Sequence, residues 1–192
     1  MNIKSIKSKS YGTKVFLVTL VLSLFLIAIH LFQYVFSLTG FGIHPRSLSF
    51  TGFFMAPLIH SSWTHLWSNL SVLIIAFPLT MVLFKDRFIS ILAIIWVVTF
   101  FWVWVFGIPF SSHVGASGII YGLIFFNLFA GFFIRSYLAI LASVLILFLF
   151  SSLVLGVLNI EAGVSFASHL GGAVAGVVAA LFFKTKNLKT NI

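Results

Sequence analysis

Apolar runs of about 20 residues, the length a helix needs to cross a bilayer, recur six times along this chain. They are Val15 to Leu38, His65 to Phe84, Phe88 to Phe106, Ser117 to Phe133, Tyr137 to Leu158 and Ala167 to Phe183. Backbone polar groups in hydrocarbon must be satisfied within the segment, so each run reads as a transmembrane helix. Unbroken apolar runs exclude a β-barrel, whose strands alternate and need only about ten residues each. With 61% hydrophobic and 7% charged residues the chain is no water-soluble globule, since soluble domains carry about 25% charge. The expected fold class is all-α, a polytopic membrane protein with a six-transmembrane-helix bundle. A single domain spans residues 1–192, with no internal repeat of 20–50 residues.

The net charge of +9 sits at the ends of the runs. Lys4, Lys7, Lys9 and Lys14 precede the first, Lys85 and Arg87 follow the second, Arg135 follows the fourth, and Lys184, Lys186 and Lys189 follow the last. After six crossings, ten of the 11 basic residues share one side and only Arg46 falls elsewhere. The positive-inside rule makes that side the cytoplasm, with both N- and C-termini inside. A nucleic-acid partner would need a basic face interleaved with exposed aromatics, so the expected contacts are membrane lipids and no nucleic acid. The first run exceeds the h-region of a signal peptide and no A-x-A-like site follows, so it is expected to be a retained helix with no soluble domain before it.

Thr39 to Thr64 forms a long, aromatic outer segment, expected to lie partly in the interface through Phe41, Phe50, Phe53, Phe54 and Trp63. Polar groups at membrane depth are costly and invite a functional hypothesis. At about 1.5 Å per residue, Asn69 lies roughly 24 Å above Lys85, Ser117 roughly 27 Å above Arg135, and His169 roughly 22 Å above Lys184. Three helices thus bring polar groups to one level near the outer edge of the hydrocarbon core.

A hydroxyl and an imidazole at one depth suit nucleophilic acyl transfer. The two acidic residues, Asp86 and Glu161, fall in connections, which leaves a Ser-His dyad rather than a triad. Tyr121, one turn below Ser117, offers a ring against which the imidazole could stack. His65 and Asn69, spaced i, i+4, point the same way as donors for a developing oxyanion. The start of the fourth run adds backbone N–H groups around Ala116 and Ser117, in a turn that Gly115 makes possible. Gly172 and Gly176 beside His169, and Gly118 and Gly122 beside Ser117, form small-xxx-small stripes that let the two helices approach.

These residues resemble the rhomboid family of intramembrane serine proteases. His60-Ser-Ser-Trp-Thr-His65-Leu-Trp-Ser-Asn69 is similar to its H-x4-H-x3-N, Gly115-Ala-Ser117-Gly118 to its G-x-S-G, and His169-Leu-Gly-Gly172-Ala-Val-Ala-Gly176 to its H-x2-G-x3-G. The resemblance implies a rhomboid-like bundle of the minimal bacterial six-helix form, in the bacterial cytoplasmic (inner) membrane. It implies that Ser117 is the nucleophile, His169 the general base, and His65, Asn69, Ala116 and Ser117 the oxyanion hole. Tyr121 packs under His169, His60 is a structural neighbour, and the substrates are transmembrane proteins. It further implies lateral entry, with the fifth span as gate and Asn159 to Phe166 as cap. The chain departs from the pattern in two places: Ser49 to Ala56 has no Trp-Arg pair, and Ser168 stands before the base where Ala is common.

His113 is a rival base, four residues before Ser117 in a loop. Ser151, Ser152 and Asn127 are expected to be interhelical glue, and His30 and His44 interfacial polar groups. No cofactor and no metal are expected: cysteine is absent, no H-E-x-x-H occurs, and on a helix His60 and His65 would point about 140° apart. A small transporter would need midplane charges and repeats, and an inactive rhomboid-like binding protein would have lost Ser117 or His169. Oligomeric state is not encoded in these patterns.

Overall fold

A computed structural model describes residues 3–47, 50–134, 136–158 and 165–184. Among them are helices α1 (Ile3–Phe32), α2 (Phe50–Met55), α3 (Trp63–Leu83), α4 (Phe88–Phe106), α5 (Ser117–Ile134), α6 (Tyr137–Gly156) and α7 (Phe166–Lys184). Six of them, all but the short α2, are long and apolar enough to cross a membrane. The all-α, six-span expectation therefore holds.

Helix starts follow local chemistry. Ser62 caps α3 by accepting from the His65 amide, Ser136 caps α6 by accepting from Ala139, and Ser165 accepts from the Ser168 amide at the head of α7. The first span differs most from expectation: α1 ends at Phe32 and the chain turns through Gln33–Phe36. Hydropathy cannot register that turn, because Tyr34, Val35 and Phe36 remain apolar while facing outward.

Helices α3, α5 and α7 form the centre, with 56%, 61% and 56% of their spans buried against 22% for α1 and α6. A methyl group added at Gly172 would run into the Gly118 carbonyl, and one at Gly176 into the Gly122 carbonyl, so the two glycine stripes interlock. Asn127 on α5 donates to the Thr80 hydroxyl of α3 at 2.6 Å, and Ser143 of α6 donates to the Asn127 carbonyl at 2.9 Å. Asn127 is thus interhelical glue as expected. Ser151 and Ser152 are exposed instead, just after Phe150, whose φ of −127° and ψ of 26° interrupt α6.

The outer segment is fastened at several points. Gln33 forms two hydrogen bonds with the backbone of His60, donating to its carbonyl at 3.0 Å and accepting from its N–H at 3.2 Å. Trp96 of α4 donates its indole N–H to the Phe53 carbonyl at 2.8 Å, and the Phe53 ring meets Phe100 edge to face. Ile43 and His113 exchange two backbone hydrogen bonds of 2.9 Å. These ties hold the outer segment against the bundle. Phe41, Phe50 and Phe54 stay exposed, as expected for interfacial aromatics, whereas Phe53 and Trp63 are half-buried. His30 is buried, its ring edge-on to Trp63 at 4.5 Å.

Candidate active site

Ser117 is the first residue of α5 and is buried, 6% exposed. Gly115 reaches it with a φ of 109°, a conformation that favours glycine, and donates its N–H to the Ala56 carbonyl at 2.8 Å. The outer segment thereby sets the angle at which the chain enters α5. The bond from the Ile120 amide to the Ala116 carbonyl opens the helix, so the amides from Ala116 to Ile119 have no acceptor within it.

His169, on the first turn of α7, stacks on Tyr121 of α5 with ring centroids 4.2 Å apart and planes 19° apart. Gly118 and Gly172 draw the two helices together at this level. Ser117 and His169 line the same cavity.

His65 and Asn69, one turn apart on α3, face the same point. A methyl at Gly115 would lie 2.7 Å from His65 Nε2 and 3.4 Å from Asn69 Nδ2, so both side chains crowd the turn before Ser117. Asn69 is 6% exposed and its Nδ2 is buried without a hydrogen-bond partner, a costly arrangement for an amide donor. His60 precedes α3, so the helical-wheel separation from His65 does not apply; the two rings meet edge to face at 5.2 Å. His60 is fully buried with Nδ1 3.3 Å from the Leu58 carbonyl. Burial, and then the neighbouring His65, push His60 down to about 4 against the opposing pull of that carbonyl.

The cavity holds about 590 Å³. Hydroxyls of Ser61, Ser62, Ser68, Ser111, Ser112 and Ser165 line it together with the side chains above, while Val72, Ile120 and Leu153 add apolar wall. Such a lining offers polar partners for water.

His113 also lines this cavity, but both its ring nitrogens are engaged. Ser111 donates its hydroxyl to the Ile108 carbonyl at 2.5 Å, so it accepts from His113 Nε2–H at 2.7 Å. His113 Nδ1 lies 2.6 Å from Ser165 Oγ, which itself donates to Ser168 Oγ at 2.7 Å. Burial lowers the His113 pKa, as does nearby His44. His113 therefore ties the loop before α5 to the head of α7.

Of the residues expected to form the site, Ser117, His169, His65, Asn69 and Tyr121 line this cavity, Gly115 and Ala116 form the turn before Ser117, Gly118, Gly172 and Gly176 close the helix contact, and His60 backs His65. The loop expected to act as cap lies outside the described residues over 159–164. Sequence reasoning did not find Gln33, Trp96 or Ser165 as site supports. For Ser165 a signal existed, a serine three residues before Ser168 at the head of an apolar run.

The family model described as the rhomboid domain matches residues 47–186. The chain is 37% identical over 158 residues to an uncharacterized protein of Mycobacterium bovis and to one of Mycobacterium tuberculosis, covering 77% of this chain and 65% of each relative. It is 34% identical over 147 residues to an uncharacterized protein of Mycobacterium leprae, covering 72% of this chain and 58% of that one. The chain thus spans less than two thirds of the length of these relatives.

Proposed function

Because the chain belongs to the rhomboid family, an intramembrane protease family, we propose that it is a serine endopeptidase cutting transmembrane segments of other membrane proteins near the outer interface. The observation that carries this reading is one hydroxyl-rich cavity lined by the serine that begins α5, a ring-stacked histidine and an unpartnered buried amide. In it, Ser117 Oγ attacks the scissile carbonyl carbon while His169 takes the hydroxyl proton. The developing oxyanion accepts from Asn69 Nδ2, His65 and the free amides at the head of α5. As the C–N bond breaks, His169 returns the proton to the leaving amine and an ester on Ser117 remains. Water entering the cavity then gives a proton to His169 as its oxygen bonds to the acyl carbon; the ester C–O bond breaks, His169 returns the proton to Ser117 Oγ, and the carboxylic acid product leaves.

A helical substrate hides its carbonyls in its own hydrogen bonds, so segments with Gly or Pro near the outer interface unwind most readily and are preferred. The basic residues at the run ends support cytoplasmic termini and an outward-facing cavity in the bacterial cytoplasmic membrane.

The test is fluorophosphonate labelling and cleavage of a model transmembrane substrate in detergent, for wild type and for Ser117→Ala, His169→Ala and His113→Ala. Loss of both signals in the first two variants is expected. Undiminished cleavage by Ser117→Ala would sink the reading, and loss only in His113→Ala would reassign the base.

A further inference from the structure

Whether His65 can donate to an oxyanion depends on which of its ring nitrogens carries the proton. A neutral imidazole has one donor and one acceptor nitrogen, and the partner of one fixes the role of the other. His65 Nδ1 lies 3.1 Å from Ser61 Oγ, while Nε2 faces the Gly115 turn beside Asn69 Nδ2. With the proton on Nδ1 the ring would donate to Ser61 and turn a lone pair on Nε2 toward the place where negative charge develops. With the proton on Nε2, Ser61 donates to Nδ1 and an N–H points there instead.

The neighbouring side chains narrow the source of a proton for Nδ1. His60 meets the His65 ring edge to face, but its own Nδ1 lies against the Leu58 carbonyl, which can only accept. Neutral His60 therefore carries its proton on Nδ1, and its Nε2 has none to offer. Ser62 is turned to the backbone, where its oxygen accepts from the His65 amide at 3.1 Å. The Ser61 hydroxyl remains.

We propose that Ser61 is a positioning residue that donates to His65 Nδ1 and thereby holds His65 as an Nε2–H donor for the oxyanion. The inference rests on the endopeptidase reading above. Ser61 is exposed at the cavity rim, just ahead of α3, so its substitution leaves the packed core untouched.

The experiment uses the full chain in detergent with histidine labelled in 15N, the His65 signals being assigned by their loss in His65→Gln. Wild type is expected to show His65 protonated at Nε2. Ser61→Ala should give a mixture of tautomers, and Ser61→Thr should restore the single form. On a model transmembrane substrate, Ser61→Ala should lower kcat about three- to tenfold, the range of one neutral hydrogen bond, with KM unchanged. In a His65→Ala background the same change should add nothing. An unaltered tautomer in Ser61→Ala, or a full additional loss in the His65→Ala background, overturns the proposal. If wild type neither cleaves nor labels at Ser117, the endopeptidase reading fails, while the nitrogen spectra still decide whether Ser61 sets the tautomer.

Discussion

The imidazole of His169 lies flat on the ring of Tyr121, 4.2 Å between centroids, and this stack joins α7 to α5 one turn below Ser117. With only two acidic residues in the chain, neither in a span, the proposed dyad leaves ring stacking to take the orienting part that a carboxylate has in a triad. Tyr121→Phe keeps the stacked face and should retain kcat within about threefold. Tyr121→Ala frees the imidazole to turn and should lower kcat about 100-fold, the scale of a misplaced catalytic group. It should also cost about 3 kcal/mol of stability for the void it leaves. Steady-state kinetics read beside thermal melts separate the two effects. Equal losses of kcat in both variants would show that the phenol hydroxyl, not the ring face, serves His169.

The contact of Gly172 with the Gly118 carbonyl sets how near α7, which carries His169, can come to α5, which carries Ser117. Gly172→Ala should force α5 and α7 apart, lowering stability by about 1–3 kcal/mol and slowing Ser117 labelling at least about tenfold. Gly12→Ala is the control, since no neighbouring atom lies within 4 Å of the added methyl. It should leave labelling unchanged and raise stability by up to about 1 kcal/mol, as alanine does in a helix. Thermal melts and labelling rates of the two variants check both halves.

Much of this arrangement is legible in the sequence because lipid makes the signal simple. Runs long enough to span must be helices, and depth counted from Lys85, Arg135 and Lys184 brings Asn69, Ser117 and His169 to one level. The glycine stripes then say which two helices touch. What hydropathy misses are contacts without periodicity: Gln33 with His60, Trp96 with Phe53 and Ser165 with His113 join residues 27, 43 and 52 positions apart. The end of α1 is misread for a related reason, since Tyr34 to Phe36 are as apolar in a turn as they would be in a helix.

Gln33 fastens the exit of α1 to the residue that backs His65, using both ends of one amide. Gln33→Ala breaks both bonds to the backbone of a buried residue and should cost about 1–3 kcal/mol. Gln33→Glu keeps an acceptor for the His60 N–H but has no donor for its carbonyl, so an intermediate loss is expected. Because the tie reaches the site only through His60 and His65, kcat should fall less than in His65→Ala. Melting temperatures and kcat for the three proteins test this ordering. Gln33→Glu matching Ala in stability would mean that the bond to the His60 carbonyl carries the whole effect.

His60, outside the spans, gives the fold an acid limit. An unfolded histidine binds its proton near pH 6.5, whereas burial, and then the neighbouring His65, hold folded His60 down to about 4. Between those values the unfolded chain carries the extra proton, so acid favours unfolding. The stabilisation is whole above about pH 6.5 and is lost as pH falls toward about 4. His113, also lowered by burial, acts in the same direction, so the effect of His60 is read as a difference between two proteins. His60→Asn keeps a donor for the Leu58 carbonyl and has nothing to titrate. Its melting temperature in detergent should therefore fall less steeply than that of wild type between pH 6.5 and 4. Parallel profiles for the two proteins would assign the acid limit to another group.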